Sequence, residues 1–357
     1  MTKLPDFLPI LRARLAHAPA PSFYDEPELT RAVDLCDERG RLDRAAVGWS
    51  RTPLVRANLS GHWLRKKRWN FWNWIGPDFV LSATVADLDY VAFCEVTFTD
   101  FVSGESVSHL APKLPGSIAL SEHVERTIEV RGKALTYANV HDGDKLRVTL
   151  RAAGKAPAIA ADLVVTKPPG HETLNLVVPW TPERFQMNSK HCALPTDGRI
   201  TVGSKEYLLR GDACHAVQDF GRGVWPYVSF WNWAVATGVE DGASIGVNMG
   251  GKWTTGTGVN ENALCIDGRL HKVMEDLTWT YDPGDWLRPW RVVAPHSRMI
   301  DLTFTPIVVR TPRVGVGLLR SGGACCFGRW HGTVRFDGRE LAIRSLVGWA
   351  EEFDHRW

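Results

Sequence analysis

The sequence predicts an all-β protein composed of two antiparallel β domains. From about Gly48 onwards, short apolar and β-branched runs recur, with Gly, Asp and Pro between them. Long helical patterns are absent from this part of the chain. Asp267-Gly268 joins two apolar runs, and this dipeptide is typical of a tight β-hairpin. Evenly spaced short strands separated by turns favour sandwiches or barrels.

A weak internal repeat indicates that two similar domains follow one another. Each half of the chain begins with an aromatic WN strand, at residues 69–74 and 231–234. Each half also contains an apolar strand that ends in tryptophan, at Trp180 and at Trp349. If the two domains lie side by side, we expect the two WN strands to meet at a shared interface.

The repeat and the composition together predict three segments. Residues 46–188 and 189–357 are two β-barrel domains, and residues 1–45 form an extension that is partly helical. Apolar residues of the extension recur at helical spacing, with basic residues among them. Such a helix either rests on a membrane surface or packs over the end of a barrel. The apolar residues of this pattern are Leu4, Phe7, Leu8, Leu11 and Leu15.

Composition and charge exclude several classes of protein. The formal net charge is +2 over 357 residues, so the chain lacks the excess of basic residues that is typical of nucleic-acid binding. No apolar run approaches the ~20 residues of a membrane span, although peripheral membrane contact stays open. Seven scattered Cys without a CxxC pair predict free thiols in a reducing cytoplasm and no thiolate zinc site. We expect no secretory signal, no cofactor and no metal.

Tryptophan is the outlier of the composition, with 16 residues. Such rings form either a core or the wall of a cavity that holds a large, flat or hydrophobic ligand. Polar residues beside the Trp-rich runs add hydrogen-bonding groups to this predicted pocket. The candidate ligand contacts are Trp69, Asn70, Trp72, Arg222, Trp225, Tyr227, Trp231, Asn232, Trp233, Asn260 and Asn262.

Asp219 is the first candidate for catalysis. It begins an aromatic run, and Gly221 and Gly223 predict a turn there before the second WN strand. A carboxyl group among apolar rings resists ionisation, and a neutral carboxylic acid is what a general acid requires. Arg222 leaves an alternative open, in which Asp219 forms a structural ion pair with it.

Glu261 and His355 are the further catalytic candidates. Glu261 lies in a Gly- and Asn-rich loop that is otherwise typical of solvated turns. His355 belongs to a final segment, residues 349–357, whose two Trp indicate that it packs against the protein. Either residue could position water or the polar head of a substrate. The acidic residues of this segment could ligate a metal, but the clustering of histidines that a metal site needs is missing.

Two further patterns are weaker. The basic residues 65–68 precede the first WN strand and could meet an anionic ligand, a membrane surface or only solvent. The chain has no GxSxG, HExxH or P-loop motif, which disfavours the hydrolases, proteases and NTPases that use them.

Several long blocks resemble a bacterial family catalogued as a domain of unknown function, number 2804. The resemblance runs from about Gly40 to Trp357. That family has no established activity, so no residue acquires a role from it. The blocks are KRWNFW at 67–72, ADLDYV at 86–91, HETLNLVVPW at 171–180, DFGRGVWPY at 219–227, WNW at 231–233, NENALCIDGRLHK at 260–272 and GWAEEFDHRW at 348–357.

The chain is also similar, more loosely, to tandem lipocalin-like proteins such as carotenoid hydratases and tocopherol cyclases. This resemblance implies two linked lipocalin-like barrels and chemistry on isoprenoid-like substrates. It identifies no catalytic residue here.

Three hypotheses about function follow. The protein is an enzyme that performs acid-assisted hydration, addition or cyclisation of an isoprenoid- or lipid-like substrate, with Asp219 as the acid. Alternatively, it binds or carries a hydrophobic ligand in the same pocket without catalysis. In the third hypothesis the Trp set is a solid core of a structural or membrane-peripheral protein.

Overall fold

A computed structural model describes residues 23–316 and 319–357. The helix predicted from Leu4 to Leu15 lies outside these residues. The described part of the extension contains no α-helix, but a single 3-10 turn at Arg44–Ala46, which the Asp43 carboxylate caps through the Ala45 amide at 2.9 Å. The predicted helical extension is therefore not seen in the described chain.

The described residues confirm the all-β prediction and form two curled, antiparallel half-barrel sheets. Strands β1 to β15 span Val33–Asp34, Gly48–Ser50, Val55–Arg56, Lys66–Ile75, Phe79–Asp87, Ala92–Asp100, Ser106–Lys113, Ile128–Val130, Leu135–Asp142, Lys145–Ala152, Ile159–Thr166, Leu174–Thr181, Arg184–Val202, Lys205–Leu209 and His215–Val224. Strands β16 to β25 span Val228–Glu240, Ala243–Gly251, Ala263–Ile266, Arg269–Lys272, Thr278–Thr280, Trp290–Val293, Ile300–Arg310, Arg313–Val316, Leu319–Phe336 and Arg339–Arg356.

Thirteen described strands make the first sheet, in the order β7-β6-β5-β4-β15-β13-β11-β10-β9-β8, with β2, β12 and β14 attached. Ten make the second, in the order β19-β18-β17-β16-β25-β24-β22-β21-β20, with β23 paired to β24. Strands β1 and β3 form a separate parallel pair. The chain passes between the sheets after Val224, whereas the proposed domain division at residue 188 lies within β13.

The alternation of side chains explains why each sheet has a buried inner face. In β10, every second residue is buried and the intervening ones are exposed. The buried residues, such as Leu146 and Val148, belong to the core of the first half-barrel. Period-2 alternation of this kind is what a strand with one solvated face requires.

A separate core lies where the two sheets face one another. It joins residues of the first sheet, such as Val217, to Trp233 and Trp349 of the second. Phe71 and Trp233, one from each WN strand, meet with their ring centroids 6.0 Å apart. The prediction that the WN strands share an interface is therefore confirmed.

The two WN strands take equivalent places in the two sheets, but the two apolar strands that the sequence analysis ended at Trp180 and Trp349 do not. Strand β4 lies between β5 and β15, and β16 lies between β17 and β25. Trp180 belongs to β12, which pairs with β13 and β2, whereas Trp349 belongs to β25, which pairs with β16 and β24. The repeat thus holds in three dimensions for the WN strands alone.

The basic residues 65–68 are largely engaged by the protein itself. Arg65 donates to two backbone carbonyls, Lys66 pairs with Asp89 at 3.3 Å, and Lys67 is fully buried. Burial lowers the pKa of Lys67 to about 7. None of the described helical segments is long and apolar enough to cross a membrane.

Candidate functional site

One face of three adjacent strands carries polar groups toward the second sheet. Strand pairing sets Phe71 opposite Asp219 and Asp219 opposite Lys190, so these side chains lie on the same face of β4, β15 and β13. Trp69 and Gly221 form the next pair along these strands. A line of aromatic, acidic and basic groups therefore crosses the face of the first sheet that meets the second sheet.

Asp219 accepts hydrogen bonds from three donors. Asn188 Nδ2 lies 2.6 Å from Oδ1, Lys190 Nζ lies 3.2 Å from the same oxygen, and Trp69 Nε1 lies 3.0 Å from Oδ2. All three contacts are with donors, one of them a cation, so the site suits a carboxylate rather than a neutral acid. Asp219 thus has polar partners, Asn188 and Lys190, in addition to the predicted aromatic rings.

Lys190 links the two sheets electrostatically. Its ammonium nitrogen lies 3.2 Å from Asp219, 3.0 Å from Glu261 Oε2 and 3.9 Å from the centroid of the Trp233 ring. Burial lowers the pKa of Lys190, but the two carboxylates outweigh burial and raise it above its ordinary value. Glu261 also accepts a hydrogen bond from the indole N–H of Trp253. The result is a buried acid–lysine–acid triad.

Glu351 is a second kind of carboxyl group in the same interface. Trp231 Nε1 donates to its Oε1 at 2.8 Å, and Cys325 lies opposite it on β24. Burial raises the pKa of Glu351 to about 7, with the indole of Trp231 opposing the effect. A carboxyl group of this kind can both give and take a proton near neutral pH.

His355 lies on the same face of β25 as Glu351, four residues further along the strand. Its ring is 4.5 Å from that of Trp231, and its Nε2 lies 3.0 Å from Ser321 Oγ. Burial lowers the pKa of His355 to about 3, so the imidazole is neutral at physiological pH. A neutral imidazole can hydrogen-bond a water or a substrate hydroxyl but holds no positive charge.

Five indole N–H groups of this cluster each donate a hydrogen bond to a polar side chain, and four of the five acceptors are buried. Tryptophan combines a large apolar ring with a single donor, so these pairs fill the interface and satisfy its acids at once. The pairs are Trp69 with Asp219, Trp253 with Glu261, Trp231 with Glu351, Trp233 with Asn248 and Trp225 with Gln186. We call these residues, with Lys190, the tryptophan cluster.

Solvent reaches only part of the tryptophan cluster. Asp219 and Glu261 are 7% and 1% exposed, respectively. Trp69, Trp231 and Glu351, by contrast, are partly exposed. The accessible region therefore consists of aromatic rings around Glu351, while the acid–lysine–acid triad lies behind it.

The predicted turn at Gly221 and Gly223 is wrong, because both lie inside strand β15. The glycines provide room instead. A Cβ on Gly221 would lie 2.1 Å from the Trp69 ring, and one on Gly223 would lie 2.2 Å from Gln186 Oε1. They let the large side chains of the neighbouring strands lie flat over β15.

The alternative ion pair between Asp219 and Arg222 is also wrong. The two residues are three apart in a strand, so they point to opposite faces. Arg222 is fully buried and donates to Asn70 Oδ1 at 2.8 Å and to the carbonyl groups of Trp69 and Ser121. It fixes the segment at Ser121 against the face of the sheet that is turned away from the second sheet.

Strand parity separates several other predicted contacts from the cluster. Asn70 and Trp72 lie on the face of β4 opposite to Trp69, where Trp72 stacks on Trp74 at 6.1 Å in the core of the first half-barrel. Asn232 likewise points away from Trp231, and its amide lies 3.2 Å from the Tyr281 hydroxyl.

The remaining predicted contacts serve the surroundings of the cluster. Asn260 accepts from Lys272 Nζ at 2.8 Å, and Asn262 accepts from the amide of Gly250 at 2.7 Å. Both order the loop that presents Glu261. Tyr227 is 42% exposed and lies in the link between β15 and β16.

The sequence analysis missed Lys190 and Trp253 and considered Glu351 only as a metal ligand. Lys190 lies among polar residues in NSKHCAL, so the sequence carried no signal that it is buried. Within the described chain, no group of three or more His, Cys, Asp or Glu side chains is arranged to hold a metal ion.

A surface cleft of about 760 Å³ lies apart from the tryptophan cluster. It is formed by the β18–β19 and β24–β25 turns and the segment around Glu28 and Arg51. Its lining contains several arginines but none of the cluster residues.

Residues 26–357 match the family described as Domain of unknown function (DUF2804), so the chain belongs to that family. A comparison with curated proteins gives no match.

Solved structures with similar folds share little sequence with the chain. A protein described as AttH from Nitrosomonas europaea is 11% identical, with 81% of this chain and 92% of that chain covered and a TM-score of 0.47. Kievitone hydratase from Nectria haematococca is 10% identical, with coverages of 82% and 89% and a TM-score of 0.47. CghA is 11% identical, with coverages of 95% and 98% and a TM-score of 0.46.

Proposed function

We propose that this member of the DUF2804 family is an enzyme that protonates a hydrophobic, isoprenoid- or lipid-like substrate at the tryptophan cluster. The reaction class is acid-assisted hydration, addition or cyclisation. The observation that carries the proposal is Glu351, a partly accessible carboxyl group with a pKa raised to about 7. It faces aromatic rings, among them Trp231 and Phe353, whose centroids are 5.7 Å apart.

The chemistry follows from these groups. The Glu351 carboxyl proton adds to one carbon of a substrate double bond, and the positive charge develops on the other carbon. Faces of electron-rich rings such as Trp231 and Trp69 stabilise a cation beside them. Water then attacks the cation and returns a proton to the Glu351 carboxylate. In a cyclisation a second double bond attacks instead, and loss of a proton to the carboxylate restores the acid.

The other candidate residues take supporting roles in this proposal. The sequence favoured Asp219 as the acid. In the structure, however, Asp219 forms an ion pair with Lys190 and does not serve as the proton donor of this proposal. Asp219 and Glu261 hold Lys190 in place, and the triad fixes the electrostatic field behind the rings. His355, neutral and next to Trp231, orients the attacking water. Cytoplasmic location remains part of the proposal.

The first experiment is native mass spectrometry of protein purified without detergent, followed by extraction and identification of any bound compound. That compound and its unsaturated analogues are then incubated with the enzyme in D2O. We expect deuterium to enter a carbon–hydrogen bond of the product. Glu351→Gln should lower this rate by at least about 100-fold, the size of a typical general-acid contribution.

Glu352→Gln is the matched control, because Glu352 lies next to Glu351 but on the opposite face and pairs with Lys252 at 3.1 Å. We expect it to retain activity. Full activity in folded Glu351→Gln protein would exclude Glu351 as the acid.

The carrier hypothesis is the second candidate, and the triad favours it. Asp219 and Glu261 are both bonded to Lys190, so a ligand could use the rings alone. A compound that co-purifies and remains chemically unchanged after long incubation in D2O would support this function over the enzyme.

A further inference from the structure

Two cysteines from different sheets meet at the interface, independently of the proposed acid chemistry. Cys192 belongs to β13 of the first sheet and Cys265 to β18 of the second. Both side chains belong to the core between the sheets, where each thiol acts on the pKa of the other. Both are free, and they are 8% and 1% exposed. They are 73 residues apart (265 − 192), so only the packing of the two sheets brings them together.

Strand alternation directs Cys192 toward the second sheet. Cys192 lies two residues after Lys190 and so shares the face of β13 that meets the second sheet. The alternation is interrupted directly after it, because the pairing of β13 with β15 shifts register between His191 and Leu194. Leu194 thereby returns to the core of the first half-barrel, and Ala193 between them has a φ of 55°, a left-handed conformation that is unfavourable for a non-glycine residue.

The second sheet has a matching vacancy. Gly246 lies directly opposite Cys265 in the pairing of β17 with β18. A Cβ on Gly246 would lie only 2.4 Å from the Cys192 sulfur, so glycine makes the space that this sulfur occupies. The alternation of β13 and the glycine of β17, on different sheets, thus place the Cys192 sulfur in this space.

An imidazole accompanies the pair. His171 Nε2 lies 3.2 Å from the carbonyl oxygen of Cys192 and 3.8 Å from the Cys265 sulfur. The hydrogen bond from Cys192, opposed by burial and assisted by His171, lowers the pKa of Cys265 to about 6. Glu172 acts in the opposite direction. A thiolate is the nucleophilic form of cysteine.

We propose that Cys192 and Cys265 form a redox-active dithiol that a hydroperoxide converts into a disulfide between the two sheets. The Cys265 thiolate attacks one peroxide oxygen, the O–O bond breaks, and a sulfenic acid and water result once the leaving oxygen is protonated. The Cys192 sulfur then displaces the sulfenic oxygen as a second water and loses its own proton. Two thiols and one hydrogen peroxide thus give one disulfide and two waters.

The disulfide would tether the strand that carries Lys190 to the second sheet. Lys190 precedes Cys192 by two residues in β13. Closure of this cross-link would hold the two faces of the tryptophan cluster together and restrict the opening of the interface. Closure of a loop of this length stabilises the folded state mainly by constraining the unfolded chain.

The test uses the full chain, reduced, freed of reductant and titrated with hydrogen peroxide. After quenching, denaturation and alkylation, peptide mass spectrometry without reduction locates the disulfides. We expect a Cys192–Cys265 cross-linked peptide to form before any other cysteine is consumed. The thermal midpoint should rise by roughly 5 °C and return after reduction.

Cys192→Ser and Cys265→Ser should each abolish the cross-link and the shift of the midpoint. Cys94→Ser, a change at a thiol buried in the core of the first half-barrel, should leave both intact. Recovery of Cys192 and Cys265 as alkylated thiols in the oxidised wild-type protein would overturn the proposal. So would accumulation of sulfinic acid at Cys265 without a cross-link. Neither outcome depends on Glu351.

Discussion

The two half-barrels place an indole–carboxyl pair at corresponding positions, and the two pairs behave differently. In the first, Trp69 of β4 donates to Asp219 of β15 at 3.0 Å. In the second, Trp231 of β16 donates to Glu351 of β25 at 2.8 Å. Each tryptophan comes from a WN strand. Each acid lies on the strand hydrogen-bonded to that WN strand, β15 beside β4 and β25 beside β16.

The next strand accounts for the difference. Lys190 of β13 lies opposite Asp219, whereas Cys325 of β24 lies opposite Glu351. The lysine gives Asp219 a cation at 3.2 Å, while Glu351 accepts from a neutral indole, and burial raises its pKa to about 7. One residue on the third strand thus decides whether the same arrangement holds a fixed charge or an exchangeable proton.

The packing beneath the two indoles differs as well. Trp69 lies over Gly221, where a Cβ would lie within 2.1 Å of its ring. Trp231 stacks on Phe353 with an interplanar angle of 22°. The glycine lets Trp69 lie flat on its own sheet, whereas Trp231 lies against the ring of Phe353.

The largest expected effect comes from removal of the cation that separates the two pairs. Lys190→Met leaves Asp219 and Glu261 buried without their shared partner, so we expect the free energy of unfolding to fall by about 3–5 kcal/mol. Denaturant unfolding at pH 7 measures this loss. Cys325→Ser, at the corresponding position, should cost about 1 kcal/mol or less. Similar losses in the two variants would show that the third strand does not set the difference.

The pH dependence of stability should report the Glu351 proton. The ordinary pKa of Glu is about 4.3, and that of folded Glu351 is raised to about 7, so the folded state holds the extra proton between these values. The contribution to stability is fully present below the lower value and is lost as the pH rises through the higher one. We expect a loss on the order of 3 kcal/mol between pH 4.5 and 7.5.

Glu351→Gln serves as the reference, since its unfolding curves contain every other titration of the protein. The difference between wild type and variant should carry the whole slope of Glu351. Asp219→Asn should leave that slope in place. A flat difference curve for Glu351→Gln would mean that Glu351 is ionised in the folded protein, like its counterpart.

The strands and the shared WN interface could be predicted from the sequence because both depend on local patterns. Period-2 alternation and Asp-Gly turns act within a few residues, and an aromatic strand needs an apolar face to cover it. The prediction around Gly221 failed for a physical reason. Glycine usually signals a turn, but here the bulk of Trp69 on the neighbouring strand required it.

The composition of the site depended on register, which no local pattern specifies. Trp69 and Trp72 are three residues apart, so in a strand they face opposite sides, and only Trp69 reaches the cluster. Asp219 and Glu261 were identified as candidates, but Lys190, which joins them across two sheets, is 29 residues from one (219 − 190) and 71 from the other (261 − 190). Contacts over such separations arise from topology.

The smallest expected effect, and the sharpest comparison, comes from removal of the two indole donors. Trp69→Phe and Trp231→Phe delete the same ring atoms, so the packing losses largely cancel. At pH 6, Trp69→Phe removes a bond to a charged acceptor and should cost about 1.5–3 kcal/mol for that bond, whereas Trp231→Phe removes a bond to a neutral acid and should cost about 0.5–1.5 kcal/mol. At pH 8, where Glu351 has lost its proton, the cost of Trp231→Phe should rise toward that of Trp69→Phe.

Denaturant unfolding of both variants at the two pH values measures these costs. Equal costs at pH 6, or no rise at pH 8, would mean that the two acids share one protonation state, and the distinction drawn from Lys190 and Cys325 would fail.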